Sequence, residues 1–131
     1  MLSRRLLFRS SSRLADAGCT VAVCGRNAPD SLPKGVTFTA CDIREPDQCK
    51  AFVDAAVAQS GRIDILVNNA GGSPAHDAAT ASPRFVDALV KLNMLAPLYM
   101  AQAAFPHMAQ AGRGSIVNFS SIASLNPGFA I

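Results

Sequence analysis

The chain has 131 residues, half of them hydrophobic and 16% charged, which argues against a disordered polypeptide and for one domain with a real core. Its net charge of +3 is local: Arg4, Arg5, Arg9 and Arg13 precede the first acid, Asp16, and the other 118 residues carry eight basic and nine acidic groups. Such a body has no basic face for nucleic acid, and no apolar run approaches the roughly 18–20 residues of a membrane span.

Residues 1 to 13, MLSRRLLFRSSSR, are rich in Arg and Ser and free of acid, the composition of a mitochondrial transit peptide. Leu6, Leu7 and Leu14 also fall on one face of an ordinary first helix. Gly18 then stops a helix, and CTVAVC, Cys19 to Cys24, reads as a strand. A second strand, Val36 to Ala40, follows the turn formers Pro33 and Gly35. Pro46 opens a helix to about Gln59, with Glu45 and Asp47 suited to its positive end and Gly61 to its stop. Ile63 to Val67 is a third strand, followed by a Gly-bearing loop, Asn68 to Pro74. A long helical stretch runs from about Pro83 to Gln110, where Pro97 and Pro106 should kink or divide it. Ser115 to Phe119 is the fourth strand. Short apolar strands alternating with helices predict an α/β fold, a parallel sheet with helices on both faces.

Cys19, Cys24, Cys41 and Cys49 show no CxxC, and His76 and His107 add no metal-ligand spacing. They read as small hydrophobes in a reducing compartment, with no metal site.

In open parallel sheets ligands bind beyond the carboxyl ends of the strands. The residues there are Gly25-Arg26-Asn27, Asp42-Ile43, Asn68-Asn69-Ala70-Gly71 and Ser120-Ser121, all expected on one edge. Their bland alternatives stay open: turn-forming Asn68 and Asn69, a core amide at Asn93, a strand cap at Ser121, a solvated Arg26.

Asn68-Asn69-Ala70-Gly71 after a strand resembles the NNAG signature of the short-chain dehydrogenase/reductase family. Asp42 in a CDI segment, Asn93 in KLNMLAPL, Pro106 in AAFPHM and Ser121 in GSIVNFSS match the same family in order and approximate spacing. The resemblance covers residues 13–131, roughly half a family member, and is to the classical branch, which reduces carbonyls or oxidises alcohols with a nicotinamide cofactor. It implies a partial Rossmann-like, doubly wound parallel sheet whose first strand is missing or replaced. Residues 1–12 are then an atypical basic segment, and residues 13–131 a partial dinucleotide-binding domain.

The resemblance also implies roles. Asp42 would accept a hydrogen bond from the adenine amino group, with the Ile43 backbone beside it. Asn69, Ala70 and Gly71 would pass close to the cofactor ribose. Asn93 would hold a water of the proton relay, and Ser121 would orient the substrate oxygen. An acid after the second strand would bind the 2′-hydroxyl of NAD(H); here Arg26 stands in its place, which favours NADP(H), since a guanidinium pairs bidentately with a 2′-phosphate.

The chain also departs from the family. The TGxxxGxG loop should fall near Ser3 to Leu7, where there is no glycine, and RLADAG, Arg13 to Gly18, resembles the end of the helix after that loop. The tyrosine and lysine of YxxxK would lie just past Ile131, and Tyr99 is no substitute because position 103 is Ala103. The chain is therefore expected to be inactive as given. The leading expectation is a fragment of an oxidoreductase gene, truncated on the 3′ side and misread or misjoined on the 5′ side. A second is a short non-catalytic binding protein of the same lineage, with helix 83–110 as its interaction or homo-oligomer surface. A third, an unrelated signalling module, would want clustered acids where Asp42 stands alone. The full-length relative would act on a small carbonyl or alcohol, with no nucleic acid or membrane partner. Location is read as cytoplasmic, with mitochondrial as the alternative. The missing strand would lie between the strands near 19–24 and 64–68, leaving their edges unpaired and apolar surface uncovered.

Overall fold

The computed structural model describes residues 2–74, 76–77 and 79–121, with the backbone alone for residues 2–8. Helix α1, Leu2–Asp16, leads into strand β1, Val21–Gly25, and strand β2, Val36–Ala40. Helix α2, Pro46–Ser60, is followed by strand β3, Ile65–Asn68. Helix α3, Pro83–Val90, passes through a π-helical turn, Lys91–Leu95, into helix α4, Ala96–Gln110, and strand β4, Ser115–Asn118, follows.

The four strands do not form the one sheet that alternation predicts. Strands β1 and β2 pair in parallel from Val21↔Val36 to Gly25↔Ala40, and β3 and β4 from Ile65↔Ser115 to Asn68↔Asn118. Each pair is its own two-stranded sheet, so β1 and β3 each have a single hydrogen-bonded neighbour among the described residues. The break falls between these two strands, where a missing strand was expected.

Side chains hold the halves together. The two-residue period of β1 sends Val21 and Val23 to one face, where they cluster with Val36, Leu14 and Ala15. Ala22 and Cys24 go to the other, against a larger cluster of Cys41, Cys49, Phe52, Val53, Leu66, Met100, Ala104 and Met108. Thus α1 covers one face of the first sheet, and α2 and α4 pack with both sheets on the other. Ile65 and Val67, on the opposite face of β3 from Leu66, are 52% and 37% exposed, so apolar surface is uncovered there.

The helix bounds follow local chemistry. Pro46 occupies the first turn of α2, and Gly61 closes it at φ 77°, its N–H reaching the Val57 carbonyl. Ser82 caps α3 by accepting from the Phe85 N–H at 3.2 Å. The expected division near Pro97 occurs one turn earlier, as the π-helical turn, because Pro97 cannot offer an N–H to the Asn93 carbonyl. Pro106 stays inside α4 undivided, on an exposed side of the helix where the carbonyl it orphans, that of Gln102, meets water.

Candidate functional site

Two corners form where strands end. At the first, the Cys41 N–H donates to the Gly25 carbonyl at 2.9 Å, so β1 and β2 finish together with Arg26 and Asp42 just beyond. Asp42 is held at every polar group. Its N–H donates to Gln48 Oε1 at 2.8 Å, and its carbonyl accepts from the Glu45 N–H at 3.0 Å. Oδ1 accepts from the Arg44 N–H at 3.1 Å and from Arg44 Nε at 2.8 Å, while Oδ2 accepts from the terminal guanidinium nitrogen. The Arg44 bonds hold the Asp42 carboxyl down at about 2, against desolvation, with Arg26 adding a smaller favourable field. Ile43 is half-buried against the core, and its carbonyl accepts from the Cys49 thiol at 3.2 Å. Arg26 is exposed.

At the second corner, the Phe119 N–H donates to the Asn68 carbonyl at 2.9 Å, so Ser120 and the exposed Ser121 leave β4 beside the loop that opens at Asn69. Asn68 Nδ2 reaches Asn118 Oδ1 at 2.9 Å and the Pro97 carbonyl at 3.3 Å, tying the strand ends to the start of α4. Asn93, on the π-helical turn, accepts from the Gly72 N–H at 2.8 Å and donates to the Gly72 carbonyl at 3.1 Å and the Leu89 carbonyl at 3.0 Å. Gly72 adopts φ 135°, open to glycine and strained for other residues. A Cβ at Gly71 would meet Asn93 Oδ1 at 2.9 Å. The side chain of Asn93 is thus committed to the backbone of the loop.

A cavity of about 370 Å³ lies between the loop after β2 and α3, lined by Arg44 and Glu45 on one side and by Arg84, Asp87, Ala88 and Lys91 on the other. Arg26, Asp42 and Ile43 therefore share one corner, and Asn69, Ala70, Gly71, Asn93 and Ser121 surround the other. Reading the sequence overlooked Arg44 and Gln48. An Arg two residues after an acid, and a Gln in the first turn of the next helix, are the local signals for them.

The cysteines are structural in character. Cys41 and Cys49 are buried, Cys24 is half-buried and Cys19 exposed, all as free thiols. Desolvation raises Cys24 and Cys41 and pushes Cys49 up to about 12, which makes these thiols poor nucleophiles. Among the described residues no group of three or more His, Cys, Asp or Glu could hold a metal ion, and no helix is long and apolar enough to cross a membrane.

Residues 8–131 match the short chain dehydrogenase family. The chain belongs to that family. It is 36% identical over 126 residues to 2-dehydro-3-deoxy-D-gluconate 5-dehydrogenase of Escherichia coli, covering 90% of this chain and 50% of that protein. To 4-formylbenzenesulfonate dehydrogenase of Comamonas testosteroni it is 34% identical, over 88% of this chain and 50% of that one. An NADH-dependent reductase solved in complex with NAD superposes with a TM-score of 0.83 at 25% identity, over 94% of this chain and 58% of its own. The chain spans about half the length of the curated relatives it matches. The fold is Rossmann-like, of the kind that binds nicotinamide dinucleotides, and the structure carries part of it.

These residues fit part of such a cofactor. An oriented carboxylate at Asp42 suits the adenine end, and the backbone of a glycine loop with no room for a Cβ suits close approach to a ribose. For the pyrophosphate end, residues 2–16 form helix α1 and hold no glycine, so they do not supply a glycine loop.

Proposed function

We propose that residues 13–131 are the cofactor-holding part of an NADP(H)-dependent reductase or dehydrogenase acting on a small carbonyl or alcohol. The cofactor, when bound, supplies or accepts the hydride. The chain's own residues bind and orient. Asp42 accepts the adenine amino group beside the Ile43 backbone, and Asn69, Ala70 and Gly71 follow the ribose. Ser121 donates to the substrate oxygen, fixing it where charge develops. Asn93 acts by holding the loop at Gly72, and any water of a proton relay would be taken by its main-chain carbonyl. Arg26 pairs with the 2′-phosphate in place of the acid that NAD(H) would want.

The observation that carries this reading is the charged corner at the ends of β1 and β2, where Asp42 is fixed and ionised with Arg26 beside it. Calorimetric titration of the chain with NADPH and NADH tests it. The expected result is tighter binding of NADPH, by about tenfold or more, lost in Arg26→Ala. Equal affinities in both proteins would defeat the cofactor assignment.

Proton transfer is a separate matter. Tyr99, the sole tyrosine of the chain, is half-buried against the core, and Ala103 follows it where a lysine would be needed to tune it. We accordingly expect residues 1–131 alone to bind cofactor without turnover, read as NADPH consumption with a panel of aldehydes and ketones. Turnover above background would overturn this.

A second reading has its own observation. Val86, Val90, Met94, Leu98 and Phe105 leave apolar surface exposed along α3 and α4, between 42% and 70%. A second copy packing there would cover it, with or without catalysis. A dimer in equilibrium sedimentation that dissociates on Met94→Glu supports this reading, and a monomer at high concentration refutes it.

A further inference from the structure

We propose that Arg44 is a positioning residue for adenine recognition, its guanidinium fork holding the Asp42 carboxylate with Oδ2 presented to the adenine amino group. The inference rests on the adenine reading of Asp42 and names the atom and the residue that enforce it.

A carboxylate offers about four lone-pair sites, two on each oxygen. Oδ1 spends both, one on the Arg44 N–H at 3.1 Å and one on Nε at 2.8 Å. Oδ2 spends one, on the terminal guanidinium nitrogen. Among the described residues one acceptor site is left, and it belongs to Oδ2. Without the fork the carboxylate can turn about its last torsion and offer either oxygen in many directions. With the fork its plane is set by a planar partner, an arrangement that an ammonium cannot reproduce.

The backbone prevents escape by a wider movement. Gln48 holds the Asp42 N–H and the Glu45 N–H holds its carbonyl, so the residue is pinned on the main chain as well as at the side chain. Arg44 is itself only one-third exposed and lines the cavity toward α3. The other charged or titratable groups whose fields reach the Asp42 carboxylate are Arg26 from the end of β1 and the Cys41 and Cys49 thiols, while Glu45 acts on the Arg44 guanidinium. Of these, Arg44 alone bonds to the carboxylate among the described residues.

The test compares 5′-AMP with 5′-IMP, which carries a carbonyl where AMP carries the amino group. Binding is measured by calorimetry on the full 131-residue chain and on Arg44→Ala, Arg44→Lys and Asp42→Asn. An acceptor at Oδ2 favours AMP, and removing the fork should cost about tenfold of that preference. Arg44→Lys keeps the positive charge, so it should keep AMP binding level between pH 7 and pH 4 yet lose most of the selectivity. Arg44→Ala should lose both, AMP binding weakening at pH 4 as Asp42 takes up a proton. The two failures are distinct. If the parent chain shows no preference for AMP over IMP, or Asp42→Asn retains that preference, the adenine reading falls and this inference with it. If Asp42→Asn abolishes the preference while both Arg44 variants retain it, the adenine reading stands and Arg44 has no positioning role.

Discussion

Asn93 and Gly72 hold each other by two opposed hydrogen bonds, 2.8 Å from the Gly72 N–H and 3.1 Å to the Gly72 carbonyl. A third bond, to the Leu89 carbonyl at 3.0 Å, anchors the same amide on its own helix. One side chain therefore joins the loop after β3 to the π-helical turn. Asn93→Ala should lower stability by about 1–3 kcal/mol in urea unfolding and accelerate amide exchange at Gly72. Asn93→Asp should do no better, since a carboxylate meets two carbonyl oxygens where the amide donated. Unchanged exchange at Gly72 would show that the loop is held by something else.

Gly71→Ala presses on the same joint. Its Cβ would lie 2.9 Å from Asn93 Oδ1, an atom committed to Gly72 and so slow to yield. We expect a loss of about 1–3 kcal/mol. Combined with Asn93→Ala the loss should be less than additive, because the obstructing atom has then gone.

Acid should expose the Asp42–Arg44 pair. Asp42 in the folded chain titrates at about 2, below the ordinary 3.8 expected once unfolded. Its contribution to stability is therefore complete above pH 4 and disappears as pH falls toward 2, about 1 kcal/mol after solvent screening. Thermal melts at steps between pH 5 and pH 2 should show this slope in the parent chain and a shallower one in Asp42→Asn. Equal slopes would mean that the pair adds nothing in solution.

Thiol labelling checks the core. With a disulfide reagent at pH 8, Cys19 should react quickly in the native chain, while Cys24, Cys41 and Cys49 should wait for unfolding. Fast reaction of two or more thiols would place the cluster around Val53 and Phe52 closer to water than described.

Much of this architecture was legible in the chain. Strand β2 has the bounds that the sequence suggests, Val36 to Ala40, because Pro33 and Gly35 punctuate its start. Helix α2 was found within a residue, since Pro46 and Gly61 are strong signals at each end. The π-helical turn is not legible as such: Pro97 announces a disturbance, which falls one turn earlier, and the bond from Gly72 to the Asn93 side chain on that turn spans 21 residues of sequence. The grip of Arg44 on Asp42 escaped for a different reason. Surface Arg residues are common, and nothing short of a structure separates one that solvates from one that forks a neighbouring carboxylate. Candidate positions were readable because parallel strands place their following residues at ends that meet, whereas the bonds among those positions were not.

The two half-sheets also bear on how the molecule comes apart. In a continuous sheet each strand's ladder is braced on both sides, so breaking one pair exposes the next. Among the described residues β1–β2 and β3–β4 share no ladder and meet through side-chain packing, with Ala22, Cys24 and Leu66 against α2 and α4. Peptide protons in the two ladders need not be released together, and native-state deuterium uptake should sort them into two cooperative units with separate opening energies. The pair carrying Ile65 and Val67 on its uncovered face would open first, and with it the loop that Asn93 holds.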